Sequence, residues 1–288
     1  MSETMSITLA RSSGRKRQSR RLWLVYTLLI AGAVLMIFPF IWEILTSFKT
    51  LSVAASVPPQ VLPLPPTTRA YDKVLNTIPF WHLLGNSVLL TVIRTIGQVA
   101  LCTMAGYGFA RFTFPGKNIL FIGFLAILMV PGQLFILPQY EIIQHLGMLN
   151  TIFGIALPGL FSVFGTFLLR QFFQSLPIDM EEAARLDGAN EWQIFWHVML
   201  PLAKPGIIAL IVLTSLWSWN DFLWPLVVAS DENSMPLSVG LTLLTDLRLK
   251  DDPLLMAGAL LASLPMIVVF LVLQRQFIKG IAFSGVKG

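Results

Sequence analysis

The sequence predicts an all-α membrane protein with six transmembrane helices and both termini on the cytoplasmic side. Three observations predict it. First, 55% of the 288 residues are hydrophobic and only 12% are charged, with a mean hydropathy of +0.74. Soluble domains carry about a quarter charged residues, so a water-exposed surface of this size would be undersupplied. Second, the apolar residues cluster into runs near the ~20 residues a helix needs to cross the hydrocarbon. Third, Lys and Arg fall in alternate connections between those runs, as positive-inside bias requires.

The runs place the spans at Leu22–Trp42, Ser87–Ala110, Ile119–Leu137, Ile152–Leu169, Gly206–Val228 and Leu254–Leu273. The first follows a basic cluster, Arg11, Arg15, Lys16, Arg17, Arg20 and Arg21. Such a cluster also suits a nucleic-acid arm, but an apolar run begins directly at Leu22, so orienting a membrane helix explains it better and no nucleic-acid partner is expected. The run exceeds the roughly 7–15 residues of a signal-peptide core. It reads as an uncleaved span despite the small-residue pattern Ser52-Val53-Ala54.

With the N-terminus inside, the inside connections hold Arg111, Lys117, Arg170, Arg185, Lys204, Arg275, Lys279 and Lys287 besides the N-terminal cluster. The outside ones hold Lys49, Arg69, Lys73, Arg248 and Lys250. The chain thus divides into a basic N-terminus (1–21), a six-span domain (22–280) with an inside loop at 175–205, and a short inside tail (281–288). The outside segment from Ser47 to Phe80 carries Pro58, Pro59, Pro63, Pro65 and Pro66 and should be extended rather than helical. Gly106 and Ala110, four apart, suit close helix contact. Cys102 stands alone in an apolar run, so it forms no intrachain disulfide and no cysteine metal site. His82, His145 and His197 are scattered, and no metal site is expected.

The inside loop from Ser175 to Pro205 predicts two short helices around a glycine turn. Asp179 can cap the first, with Glu182 completing a capping box. Glu181 and Arg185 stand four apart in the favourable order. Gly188 is placed to end the helix in a left-handed conformation. Asn190 and Gln193 open the second helix, whose stripe is Ile194, Phe195, Val198 and Met199, and Pro205 can start the next span. Ala183 and Ala184 permit close approach by another backbone, with Glu182, Arg185 and Asp187 as a charged rim. Physics alone leaves two uses open, insertion into a partner's groove and an amphipathic linker against lipid headgroups.

The spacing is more specific. Glu182-Ala183-Ala184, then Gly188, then Val198-Met199-Leu200-Pro201 resembles the EAA loop of permease subunits of ABC importers. Every fixed position matches except that Val198 stands where isoleucine is usual. The resemblance covers nearly the whole chain and points to the carbohydrate branch, most like its maltose-type second permease. Pro39-Phe40-Ile41-Trp42, Ser47-Phe48-Lys49, Asn86-Ser87, Met129-Val130-Pro131, Pro138-Gln139-Tyr140, Trp219-Asn220-Asp221-Phe222 and Gly285-Val286-Lys287-Gly288 carry it, in order.

That resemblance implies the type I ABC importer permease (MetI-like) fold, with an ATPase docking on Glu182, Ala183, Ala184, Arg185, Asp187, Gly188 and Pro201. It also implies two ATPase subunits, a second homologous permease and an extracytoplasmic substrate-binding protein, in a bacterial or archaeal plasma membrane. No G-x-x-x-x-G-K-[ST] phosphate loop occurs. No cofactor is therefore expected on this chain, with ATP and Mg on the partner ATPase, and the tail Ser284–Gly288 offers a second contact with it.

Residues for the cargo are harder to read. Trp217, Trp219, Asn220 and Trp224 share one span, with Asp221 beside them. Aromatic rings pack on the C–H faces of sugars and amides pair with hydroxyls, so Trp217, Trp219, Asn220 and Asp221 are candidates for the substrate path. The same residues also fit an aromatic belt near the outer headgroups. Arg94, within the second span, could snorkel, pair with an acid or line the path. A secondary transporter or channel would need intramembrane acids or histidines for ion coupling, which the spans nearly lack. A membrane enzyme would need convergent nucleophile, base or metal ligands, and the sequence offers none. The cargo reads as a di- or oligosaccharide, with glycerol phosphate or another small polar solute as the alternative.

Overall fold

The computed structural model describes residues 2–245 and 251–285, with side chains for 22–245, 251–272 and 274. Arg248, Lys250 and the last three residues lie outside the described residues. The side chains of the N-terminal basic cluster and of Arg275 and Lys279 lie outside them as well.

The described elements are all helical. They are α1 (Ser2–Ser47), α2 (Leu51–Ala54), α3 (Arg69–Thr77), α4 (Phe80–Arg111), α5 (Lys117–Ala126), α6 (Ile136–His145), α7 (Ile152–Ala156) and α8 (Val163–Ser175). Then follow α9 (Asp179–Leu186), α10 (Glu191–Gln193), α11 (Leu200–Leu202), α12 (Lys204–Asn220), α13 (Leu223–Val228), α14 (Leu237–Gly240) and α15 (Asp252–Gly285). Among the described residues three helices are long and apolar enough to cross a membrane, and up to six spans result if each bent pair is one span. The chain forms two compact units. One holds α1, α2, α3 up to Lys73, and α15 as far as Leu260, and the other starts at Val74 and resumes at Leu261.

In the first unit, the apolar side chains from Leu22 to Ile41 are exposed almost all round, as suits a helix surrounded by lipid or a partner helix. The Ser47-Phe48-Lys49 motif folds onto α3. Ser47 Oγ lies 2.7 Å from Tyr71 Oη, and the Phe48 and Tyr71 rings are 5.2 Å apart. Lys49 sits 4.4 Å above the Trp42 ring, and Lys73 bonds Asp251 at 2.9 Å. The outside segment is extended only through its prolines. Arg69–Thr77 is a helix, because the prolines stop at Pro66 and an amphipathic stretch follows.

The second unit corrects three of the expected spans. The third is broken, its halves Lys117–Met129 and Gly132–His145 meeting at 98°. Pro131 forces the break, since the residue before a proline is driven out of the helical region, and Val130 is extended at φ −88°, ψ 126°. The fourth bends by 47° between Gly159 and Val163. Ser162 restarts the helix there as an N-cap accepting from Gly165 N at 3.1 Å. The fifth ends at Asn220, and Leu223–Val228 is a separate helix after the Asp221-Phe222 break.

α4 packs along α8 and α12. Gly106 is required for this, because a Cβ there would lie 3.0 Å from the Arg170 backbone nitrogen. One core under the inside loop joins Cys102, Tyr107, Leu169, Phe173, Ile194, Phe195, Met199 and Leu210. A second gathers Leu90, Ile143, Ile155, Trp224 and Val228 at the other end of α4.

Candidate functional site

The inside loop builds the first site. Its helix α9 has the sequence DMEEAARL. The expected capping box does not form: Asp179 is already the first helical residue, Ile178 is the cap, and it caps without a side chain. Asp179, Glu181 and Glu182 instead crowd the first turn, where the helix dipole favours acids. The far end behaves as expected. Gly188 adopts φ +85°, its N–H donates to Arg185 O, and Ala189 N donates to Ala184 O. That pair of bonds is a Schellman cap.

Asn190 and Gln193 form the reciprocal capping box, at 2.9 and 2.8 Å. The helix then widens into a π-turn over Ile194–Met199, which the apolar pattern did not reveal. It precedes Pro201, which has no N–H to give to the carbonyl four residues back. Ile194, Phe195 and Met199 are buried, with Val198 packed beside them. Tyr107 stacks between Phe173 (5.3 Å) and Phe195 (5.0 Å). Pro205 lies in the first turn of α12.

Glu181 is the residue that sequence reasoning underrated. Its pairing with Arg185 exists, but at 3.7 Å. The closer partner is Arg111, the last residue of α4, whose Nε lies 2.8 Å from Glu181 Oε1. The Glu181 side chain is 2% exposed. Arg111 also donates from Nη2 to Leu176 O at 2.8 Å. Burial pushes the Glu181 carboxyl above its ordinary range, opposed by the charges of Arg111 and Arg185. Arg185 forks onto Glu191 at 3.0 and 3.3 Å, and this bond raises its already high pKa.

α9 is therefore two-sided. Ala184 is half-buried against the core, while Glu182, Ala183, Asp187, Gly188 and Pro201 are exposed. Ala183 and Ala184 are not equivalent, as a flat small patch would have them. Arg185, though exposed, is tied to acids of its own chain. Leu186, which the pattern did not single out, is 89% exposed.

The second site lies between α4, α12 and the bend before α8. Arg94 pairs with Asp221 at 2.7 Å, and its Nη2 donates to Ile155 O at 2.7 Å. Of its three expected uses the structure thus shows the acid partner, and the pair also borders a cavity. Trp224 Nε1 donates to the same carbonyl at 3.1 Å. Beside the pair is a cavity of about 360 Å³ lined also by Gln98, Thr214, Trp217 and Ser218.

The four path candidates separate. Trp217 and Asp221 line this cavity. Trp219 donates to Ala262 O at 3.0 Å and lines a different cavity, and Asn220 is exposed with its amide folded back on Leu216 O at 2.8 Å. Residues 214, 217 and 218 share one face of α12, with Asp221 just past its end, a periodicity that proximity alone missed. The Asn86-Ser87 motif clamps an outer segment. Asn86 Nδ2 donates to Asn233 O and Met235 O at 2.9 Å, and Leu237 N donates to Ser87 Oγ at 2.7 Å. Among the described residues, no group of three or more His, Cys, Asp or Glu could hold a metal ion.

Comparison with known proteins gives this geometry its setting. Residues 99–282 match the family described as "Binding-protein-dependent transport system inner membrane component". The chain belongs to that family. It is a multi-pass permease subunit of a binding-protein-dependent ABC transport system, which sets aside the stand-alone secondary transporter and the membrane enzyme. It is 34% identical to the arabinooligosaccharides transport system permease protein AraQ of Halalkalibacterium halodurans, over 89% of this chain and 93% of that one. It is 32% identical to the sn-glycerol-3-phosphate transport system permease protein UgpE of Salmonella typhi, over 90% and 95%. Among solved structures, a chain of a bacterial ABC transporter that imports the acidic polysaccharide alginate superposes with a TM-score of 0.80 at 25% identity, covering 91% of this chain and 98% of that one. The permease fold expected from the EAA spacing is thereby shown.

Proposed function

We propose that this chain is one of two membrane-spanning subunits of an ATP-driven importer for a di- or oligosaccharide in a bacterial inner membrane. In this reading α9 is the point where ATPase motion enters it. The observation that carries the reading is the two-sidedness of α9. Its inner side is tied by Glu181 to Arg111 of α4, and its outer side presents Glu182, Ala183, Leu186 and Asp187 with the Gly188 turn.

The partners are a second, related permease, an extracytoplasmic substrate-binding protein and two ATPase subunits that hold ATP and Mg. This chain itself holds no cofactor. As the ATPases close around ATP, the groove that receives α9 moves, and the helix moves with it. The Arg111–Glu181 pair and the Tyr107–Phe195 stack pass that displacement to α4, so the spans rock between inward-open and outward-open states. Ala184 and Arg185 hold the loop to its own core, while Glu182, Ala183, Asp187, Gly188 and Pro201 face the ATPase. The tail Ser284–Gly288, expected inside from charge placement, is a second contact in this proposal.

Resemblance to AraQ supports an oligosaccharide cargo. Resemblance to UgpE keeps glycerol phosphate as the second reading. Trp217 and Asp221 belong to the substrate path in both, whereas Trp219 and Asn220 take supporting roles. Affinity purification of Glu182→Lys and Gly188→Asp variants is expected to lose the co-expressed ATPase while membrane insertion is retained. Undiminished recovery of the ATPase with both variants would overturn the docking assignment.

A further inference from the structure

We propose that Lys117 and Arg170 together hold the phosphate of an anionic phospholipid, of the phosphatidylglycerol kind, in the cytoplasmic leaflet.

Both side chains gather at the inside end of α4. Lys117, the first residue of α5, donates from Nζ to Phe112 O at 2.7 Å. Arg170, on α8, donates from Nε to Phe109 O at 3.3 Å, and its guanidinium lies 4.1 Å above the Phe121 ring. The two cations stand within electrostatic reach of each other. Among the described residues neither forms an ion pair. Arg111, the third cation at this end, is taken by Glu181. An ammonium and a guanidinium each carry several N–H donors, so one carbonyl apiece leaves the rest free to bind.

The backbone does not neutralise this pair. The carbonyl end of α4 supplies about half a negative charge, and the start of α5, where Gly116 gives no side-chain cap, about half a positive one. The helix ends offset each other, and both full cations remain. Both are half-buried. Arg170 is also set back from the helix ends, since α8 runs on to Ser175 and Phe109 precedes the end of α4. A charge held at that depth is costly unless an anion meets it.

The surroundings select a lipid over an acidic protein surface. Leu120, one turn on from Lys117, is exposed, as are Ile119 and Ile122. From the cations onward the third span therefore presents bare hydrocarbon surface, suited to acyl chains. A phosphodiester brings one negative charge and oxygens that accept from ammonium and guanidinium together. Basic pockets between spanning helices on the cytoplasmic side suit such headgroups.

The test is native mass spectrometry of the complete, detergent-purified transporter, titrated with phosphatidylglycerol or with phosphatidylcholine of the same acyl chains. Wild type is expected to bind phosphatidylglycerol about tenfold or more tightly than phosphatidylcholine. The Lys117→Gln, Arg170→Gln double variant is expected to lose that preference at unchanged ATPase recovery. Lys117→Gln alone, which disturbs only a bond to the Phe112 carbonyl, should move the same way and serves if the double variant fails to fold. Lys117→Arg with Arg170→Lys, which keeps both charges, should retain most of the preference. Lys204→Gln, which removes a different inside cation, should retain all of it. Equal binding of the two lipids by wild type overturns the site whatever the variants do. A preference that survives the Gln variants, or that Lys204→Gln abolishes as well, overturns it too. Loss of the ATPase rather than of the lipid would assign the cations to that partner and overturn the lipid reading. None of these outcomes depends on transport, so the importer reading is judged separately.

Discussion

Arg111, the last residue of α4, and Glu181, the third residue of α9, meet at 2.8 Å, with the carboxylate almost wholly out of solvent. The contact joins a spanning helix to the helix proposed to receive the ATPase. Neither residue belongs to the EAA signature, yet their pairing decides which side of α9 stays free. Removing one partner of such a pair leaves the other charge buried, at a cost of about 3–5 kcal/mol. Arg111→Ala should therefore lower the melting temperature in detergent clearly. Glu181→Gln, which leaves Arg111 its bond to Leu176 O, should lower it less. An Arg111→Ala protein as stable as wild type would count against the link.

Acid should not loosen this contact in the usual way. Burial raises the Glu181 carboxyl in the folded chain, so between the ordinary carboxylate pKa and the raised folded value the native state binds more protons than the unfolded one. Stability from this group is full below the unfolded pKa and is lost as pH rises through the folded pKa. Melting curves at a series of pH values should show wild type gaining on Glu181→Gln as pH falls through that window. The opposite slope would mean that the Arg111 charge outweighs burial.

Leu186 should matter to docking although it lies outside the recognised pattern. It is 89% exposed, and burying a leucine side chain is worth about 1.5–3 kcal/mol. Leu186→Ala should weaken ATPase binding about tenfold or more, read by titrating the ATPase against detergent-purified permease. An unchanged affinity would place Leu186 outside the interface.

Gly106 should tolerate nothing large. A side chain there meets the Arg170 backbone and Leu169 Cβ, both at 3.0 Å, and neither can swing aside as a flexible tip could. Gly106→Val should cost about 1–3 kcal/mol by overpacking α4 against α8. Gly123→Ala, where a Cβ finds open space, is the control and should be nearly neutral by the same melting assay.

Much of the site was legible before any coordinates. The Gly188 turn and the Asn190–Gln193 box are local, fixed by which residue tolerates positive φ and which side chain reaches three residues on. The acid pairing of Arg94 was one of three open uses, because a buried charge predicts that it has a partner and says little about which. Glu181 shows the limit more sharply. Its i,i+4 neighbour Arg185 was visible in the chain, but the stronger partner lies across the fold. The Asp179 capping box failed because the helix began one residue earlier than the pattern suggested, a shift that local signals cannot resolve.

The sequence by itself determined the class of molecule, the span count, the inside loop and the family, because these rest on hydropathy, charge placement and spacing along one chain. Only the tertiary structure decided that the third span breaks at Pro131, that Ala184 faces inward while Ala183 faces out, and that Trp217 parts from Trp219. It also brought Thr214, Ser218 and the Arg94–Asp221 pair to one cavity. Those outcomes depend on which helix faces meet, and contacts between distant segments are set by packing of the whole fold rather than by any window of the chain.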